Sequence, residues 1–270
     1  MKIFNTIILF FITLHILYAQ NSKELSSNLA VFYEMNYIPD LSQLDEVKKT
    51  LTILLIRDQS SLFKTYNKYR QDSLVNHHSS IGTSFNEFNE IKKQIPSSSH
   101  NFQIVKEKKF ITIYDKVIPD QYMYERNSID IQWEILGEKQ ELFGFQVQKA
   151  STVYGGRKWE AWFTEEIPLN EGPYIFNGLP GLIITIEDSE GHYKFSLFKI
   201  KNDIKIPLTP YLVKKPIKTN EKDFLKLRKE FYLNASQKLA QTNMNINDKE
   251  IANAVDVRYR KKLNFIEREH

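Results

Sequence analysis

Cysteine is absent from all 270 residues. That removes disulfides, thiol catalysis, cysteine-type zinc sites and iron–sulfur clusters from the available chemistry, and leaves the core to hold the chain together. Long apolar runs are equally scarce. Past the N-terminus no segment approaches the roughly 20 apolar residues that a bilayer-spanning helix needs. Neither a G-x-S-x-G elbow nor an H-E-x-x-H helix occurs. No internal repeat of fixed period is present, and from Phe102 to Pro216 no helix-period segment separates the strand-like runs, which argues against a parallel α/β sheet.

What is present begins with MKIFNTIILFFITLHILYAQ. Lys2 supplies a short positive region, Ile3 to Leu17 an apolar stretch, and Tyr18-Ala19-Gln20 a small residue before a cut, which is the pattern of a secretory signal peptide. An uncleaved anchor is the competing reading, because Leu17 fits poorly three residues before the cut. Gln20 stands where a lipid-anchored protein needs cysteine. The expectation is residues 1–19 as leader and a soluble product in the periplasm or outside the cell, with no transmembrane segment after cleavage. Removing the leader takes away Lys2 and no acid, so a net charge of +4 becomes +3. Arg258, Arg260, Lys261 and Lys262 concentrate the excess near the C-terminus. They read either as the solvated end of a helix or as a patch for an anionic partner, and export argues against nucleic acid.

The composition, 41% hydrophobic and 26% charged, suits a sizeable core, and 13% aromatic residues favour pleated, half-buried surfaces. LAVFYEMNY (29–37) and TLTILLIRD (50–58) read as strands. Residues 62–93 are polar and irregular, and predict weak helix or disorder with His77 and His78 in a loop. From Phe102, short β-like runs follow one another between turn signals, as an antiparallel meander would. After Pro216 the period changes. Thr219 or Asn220 is an N-cap, followed by Phe224, Leu227, Phe231, Ala235 and Leu239 at helical spacing. Ile251, Ala254, Val255 and Tyr259 form a second helical face after Asn247. The predicted fold is mainly β with C-terminal helices (α+β). Residues 20–216 form an antiparallel meander curved into a sheet, half-barrel or sandwich, and residues 217–270 are a helical segment packing on the same domain.

The densest punctuation is GPYIFNGLPGLIITI (172–186). A phosphate cradle would need its glycines to lead into a helix, with a lysine or hydroxyl to complete it. Here β-branched residues follow, so the stretch reads as a corner. Asn177-Gly178 is a hairpin signal, and Pro180-Gly181 suits a type II turn with Gly181 at positive φ between the strands PYIF and LIITI. DSEG (188–191) closes a second hairpin.

Gly178-Leu179-Pro180-Gly181-Leu182-Ile183 spells GLPGLI, and the chain resembles the exported protein family named after that motif. QKASTVYGGRKWEAWFTEEIP (148–168) is similar to the family's Gln-Lys-Ala, Gly-Arg, Ala-Trp and Ile-Pro signposts. Gly172-Pro173 and Phe176 also fit. The tail RKKLNFIE (260–267) resembles its basic, Asn-Pro-Ile-Glu-like ending, with Phe265 where proline is expected. The resemblance spans roughly the mature chain. It implies export in a Gram-negative envelope and a β-rich fold, and brings neither an activity nor catalytic residues.

Candidate chemistry is thin. Glu165 and Glu166 are adjacent on an expected strand and point to opposite faces, so they cannot share a proton. His77 and His78 lack a third ligand nearby, so no metal site is expected. His192 opens a strand after a turn. Asn234-Ala235-Ser236 is a sequon inside an expected helix and carries no weight. In Arg157-Lys158-Trp159-Glu160-Ala161-Trp162-Phe163, alternation puts Arg157, Trp159 and Phe163 on one face, a candidate surface for an apolar or anionic ligand. The alternative is that Trp159 and Phe163 fill the core while Arg157 pairs with an acid at its rim. Gly178, Leu179, Pro180 and Gly181 are expected as a structural turn. The functional expectation is an exported, non-enzymatic binding or accessory protein without cofactor, whose partner is an apolar or lipid-like ligand or an envelope protein. A periplasmic hydrolase with a non-local site and a structural partner of an outer-membrane complex are the alternatives.

Overall fold

A computed structural model describes residues 29–82, 84–96, 100–128, 131–204, 206, 208–212, 214–242, 246 and 248–268. The leader expected at 1–19 lies outside them. One sheet of twelve strands dominates. In chain order the strands are β1 (Leu29–Tyr37), β2 (Lys48–Arg57), β3 (Ser60–Thr65), β4 (Gln103–Lys106), β5 (Phe110–Val117), β6 (Asp120–Asn127), β7 (Glu134–Leu142), β8 (Phe145–Tyr154), β9 (Arg157–Thr164), β10 (Leu182–Asp188), β11 (Tyr193–Lys201) and β12 (Ile217–Lys218). The helices are α1 (Tyr66–Ile81), α2 (Phe85–Lys93), α3 (Glu221–Leu233), α4 (Ala235–Ala240) and α5 (Lys249–Arg260).

Two antiparallel meanders, β1 to β6 and β7 to β11, are zipped together where β1 pairs with β11, and the short β12 adds in parallel to β6. The sheet curls strongly. Arg126 of β6 donates to the Tyr154 hydroxyl of β8, although eight strands lie between them in the ladder. Period-2 alternation along the strands sorts side chains to the two faces. Val31, Tyr33 and Met35 of β1 enter the large interior core, while Ala30 and Phe32 join a smaller cluster outside, with Leu62, Tyr66 and Ile206. Central strands are therefore apolar on both faces, which is why β1 reads as a nearly continuous hydrophobic run. The mainly β, antiparallel architecture with helices toward the C-terminus is the one expected.

Three local expectations change. Between 62 and 93, where weak helix or disorder is expected, the described residues form the end of β3, which continues the meander, and two helices: Thr65 caps α1 by accepting from the Lys68 amide, and Ser84 caps α2. His77 and His78 lie on α1, where His78 stacks edge-on against Phe88 at 5.5 Å. The expected helix through Leu239 breaks at Asn234, into α3 and α4.

The PYIF segment is not a strand. Residues 165–181 connect β9 to β10 as one long loop whose Tyr174, Ile175 and Phe176 plug the interior, with Phe176 at 4.8 Å from Trp159. Buried Lys106 of β4 fastens this loop. Its ammonium donates to the Gly172 carbonyl at 2.7 Å and the Phe176 carbonyl at 3.3 Å, and pairs with Glu171 at 2.7 Å. The positive φ falls at Gly178 (94°) and not at Gly181, so the type II turn at Pro180-Gly181 is not the reason for that glycine. Gly181 is needed for close approach instead: a Cβ there would lie 1.9 Å from the Thr164 carbonyl oxygen.

Gly181→Ala should therefore cost about 1–3 kcal/mol of stability or more, as the backbone of two paired strands is forced apart. Gly137→Ala has open space around it and should stay within about 0.5 kcal/mol of the parent. Equal thermal midpoints for the two variants would refute the close-approach account.

Candidate functional site

Alternation along β9 proves strict. Arg157, Trp159, Ala161 and Phe163 are buried on the interior face, while Lys158, Glu160 and Trp162 reach outward. Arg157, Trp159 and Phe163 are 2%, 0% and 1% exposed, so the chain itself occupies that face. Two glycines, Gly155 and Gly156, turn β8 into β9 at positive φ and let the C-terminal tail pass against them, within 3.1 Å of where a Cβ would stand. The tail then enters the interior. The Arg157 guanidinium pairs with Asp188, donates to the Asn264 side chain at 2.6 Å, and reaches the carbonyls of Phe265 (2.8 Å) and Ile266 (3.1 Å). Asn264 in turn donates to the Ile38 carbonyl at 2.6 Å, and Tyr193 donates to the Asn264 carbonyl at 2.6 Å. Glu267, 2% exposed, accepts from the hydroxyls of Tyr124, Tyr154 and Tyr174. Burial, with the Glu267 charge second, pushes all three tyrosines well above their ordinary range, so they remain O–H donors.

Beside this strap lies a cleft of about 440 Å³. Pro39, Asp40 and Gln43 of the β1–β2 loop form one wall, and Phe265 and Ile266 of the tail another. The segment before β4 brings His100 and Phe102, the end of β5 Asp115 and Lys116, α3 Arg228 and Tyr232, and the end of α5 Arg258, Lys261 and Lys262. Its rings include Tyr37, Tyr232 and Phe265, with Tyr232 and Phe265 edge to face at 5.0 Å.

Arg228 is nine-tenths buried at the floor, 4.3 Å from the Phe265 ring centre and 3.7 Å from the Asp115 carboxylate, and it donates to the Glu267 carbonyl at 3.3 Å. Burial lifts the Asp115 carboxyl to about 6 even though Arg228 pulls the other way. Burial also lowers His100 to about 4, helped by Arg228 and Lys262, so this imidazole is neutral at pH 7. A preformed concavity of this size with aromatic walls and a few placed charges is a ligand-binding geometry.

The basic run at the C-terminus is thus divided: Arg258, Lys261 and Lys262 face the cleft, while Arg260 caps the end of α3 through the Leu233 carbonyl. Arg228, Asp115 and His100 went unmarked in the sequence reading. A signal for Arg228 was present: it sits four residues after Phe224 and three before Phe231, inside the apolar stripe of α3. Glu165 and Glu166 follow β9 and are exposed, and Glu166 accepts from the Gln146 amide. Asp188, Glu190 and His192 offer ligand atoms within 4.8 Å of one another. Both carboxylates are already engaged, by Arg157 and Arg268, and Arg268 draws Glu190 down to about 2. A cation there would have to displace an arginine.

Comparison with known proteins follows the same outline. Residues 83–185 match a family model described as "Protein of unknown function (Porph_ging)". No curated protein matches the chain in sequence. Two structures of PNGF-II, in P21 and C2 crystal forms, align over 74% of this chain at 12% and 11% identity, with TM-scores of 0.51 and 0.50. The likeness concerns the fold, and the chain covers about a third of the PNGF-II chain (33% and 32%). A domain described as an outer membrane lipoprotein-sorting protein from Vibrio parahaemolyticus aligns over 70% of this chain at 8% identity, with a TM-score of 0.25, which is too low to bear on the fold. Among the described residues no helix is long and apolar enough to cross a membrane.

The buried fork at Arg157 gives a direct expectation. Arg157→Lys keeps the charge but cannot reach Asp188, Asn264 and two carbonyls together. It should lose about 3 kcal/mol or more in denaturant melts and expose the tail to carboxypeptidase. Parent-like stability would show that the strap is held by apolar contacts alone.

The cleft gives an opposed pair of pH dependences. His100, about 4 in the fold against 6.5 free, takes up its proton first in the unfolded chain, so it makes stability rise with pH from about 4 to 6.5. Asp115, about 6 in the fold against 3.8 free, holds its proton in the native state, so it makes stability fall over much of the same window. Relative to the parent, His100→Gln should therefore shift the slope between pH 4 and 6 toward a fall, and Asp115→Asn should shift it toward a rise. Each change should amount to at most about 1.4 kcal/mol per pH unit. Urea melts across that range check it, and two variants with the parental slope would contradict both assignments.

Proposed function

We propose that this protein is an exported accessory protein of the cell envelope that binds a ligand in the cleft between the β1–β2 loop, α3, α5 and the C-terminal tail. The observation that carries the reading is the cleft itself: about 440 Å³, walled by aromatic rings and floored by a nearly buried arginine. The leader pattern at residues 1–19 supports export, and the resemblance at GLPGLI supports an envelope setting. The neighbouring polar network binds the chain to itself. The Arg157 guanidinium and the tyrosine hydroxyls at Glu267 are spent on the tail and the sheet, whereas at the cleft side chains from six segments converge on open space.

Native mass spectrometry of the protein purified gently from its own envelope fraction tests this. The expected result is a non-covalent adduct of one defined mass. It should be absent from the Asn101→Trp variant, whose exposed side chain at the cleft wall would fill the space. A bare mass in the parent, or an adduct that survives in Asn101→Trp, would overturn the proposal.

A further inference from the structure

The charge on the cleft is lopsided. Six lysines and arginines line it against three acids, and the surplus is not neutralised locally. Among the described residues, Lys116, Arg258 and Lys262 make no ion pair, and the Arg228–Asp115 pair is loose at 3.7 Å. Arg228 is nine-tenths buried, yet its Nε, shut off from solvent, has no hydrogen-bond partner. A buried guanidinium left partly unsatisfied is costly. Burial is outweighed at Arg228 by Asp115 and Glu267, which hold it charged, while at the mouth Lys262 is depressed by burial and then by Arg258. The C-terminal dipole of α5 accounts for cations at its own end. It does not account for Lys116 on β5, or for Arg228, which sits mid-way along α3.

We infer that the ligand of this cleft carries a phosphate group on an apolar body, with Arg228 facing the phosphate at the floor, Arg258 and Lys262 closing on it from the mouth, and Tyr37, Tyr232 and Phe265 against the body. A surplus of three positive charges suits a group that carries about −1.5 to −2 at neutral pH better than a single carboxylate. Arg258, which makes no ion pair among the described residues, can give such an oxyanion two parallel donors, and the half-covered rings give the apolar part a place to lie. This inference rests on the cleft being the ligand site, as proposed above.

The test is calorimetric titration of the full mature chain with dihexanoyl phosphatidic acid, and with dihexanoyl phosphatidylcholine, whose phosphate is masked by a cation. Phosphatidic acid should bind at least tenfold tighter and weaken as salt is raised. The double substitution R258Q/K262Q, at two exposed positions that should leave the melting point unchanged, should remove most of that preference. Inorganic phosphate added as competitor then separates the sources. Failure to displace at matched concentration is expected, because phosphate and body are read together; displacement would mean that the phosphate alone is recognised and would overturn the apolar body. Equal affinity for the two lipids, both lost in N101W, would overturn the phosphate while leaving the cleft as a ligand site. Phosphatidic acid binding that persists in N101W, or no binding of either lipid, would overturn the inference at this site.

Discussion

The structure closes on one side chain. Arg157 enters the interior from β9 and meets an acid from the end of β10 and the last residues of the tail, and it lies 5.1 Å from the Tyr193 ring centre at the start of β11. A guanidinium at 2% exposure is tolerable only because its donors are answered there. The partners come from segments far apart in sequence, so the arrangement exists only when all of them are in place. That makes it a device for specifying one fold more than for adding stability.

The same logic recurs at the other irregular parts of the molecule. Strands hold one another by their ladders, but segments without a ladder need another fastening, and in each case it is a buried charged side chain. Lys106 ties down the loop between β9 and β10 through two carbonyls and Glu171. Lys64 of β3 fixes α1 through Asp72 at 2.9 Å. Glu267 gathers three tyrosines around the tail, and Arg228 joins the tail to α3. Uncompensated burial of these groups would cost several kcal/mol each. Each is therefore a point where sequence and position have to agree.

How much of this was readable depends on whether the information is local. The strands declare themselves through alternation, and β9 most clearly, because each of its side chains needs only its own pleat to decide its face. The caps at Asn220 and the turn at Asp188–Gly191, with Gly191 at φ 72°, are local too. Gly181 and PYIF misled because their reasons are not local. Four apolar residues after a glycine and a proline look like a strand, and only the space above Trp159 makes them a plug. Arg157 was visible as an arginine among aromatics, but what it holds, Asn264 and the carbonyls after it, lies more than a hundred residues on. The cleft was the least legible of all, since it is lined from six separate segments. Its best clue, Arg228 within an apolar helical stripe, looks in isolation like an ordinary surface charge.

The strap has a consequence for how the chain comes to its final form. Asn264 to Arg268 lie among the last residues of the sequence, yet they fill positions at the centre of the molecule. A growing or threading chain can pair its strands early, but Arg157 and three tyrosine hydroxyls stay open until residues 264–267, some hundred positions after Arg157, have followed. Maturation is thus timed by the segment that carries Asn264 and Glu267.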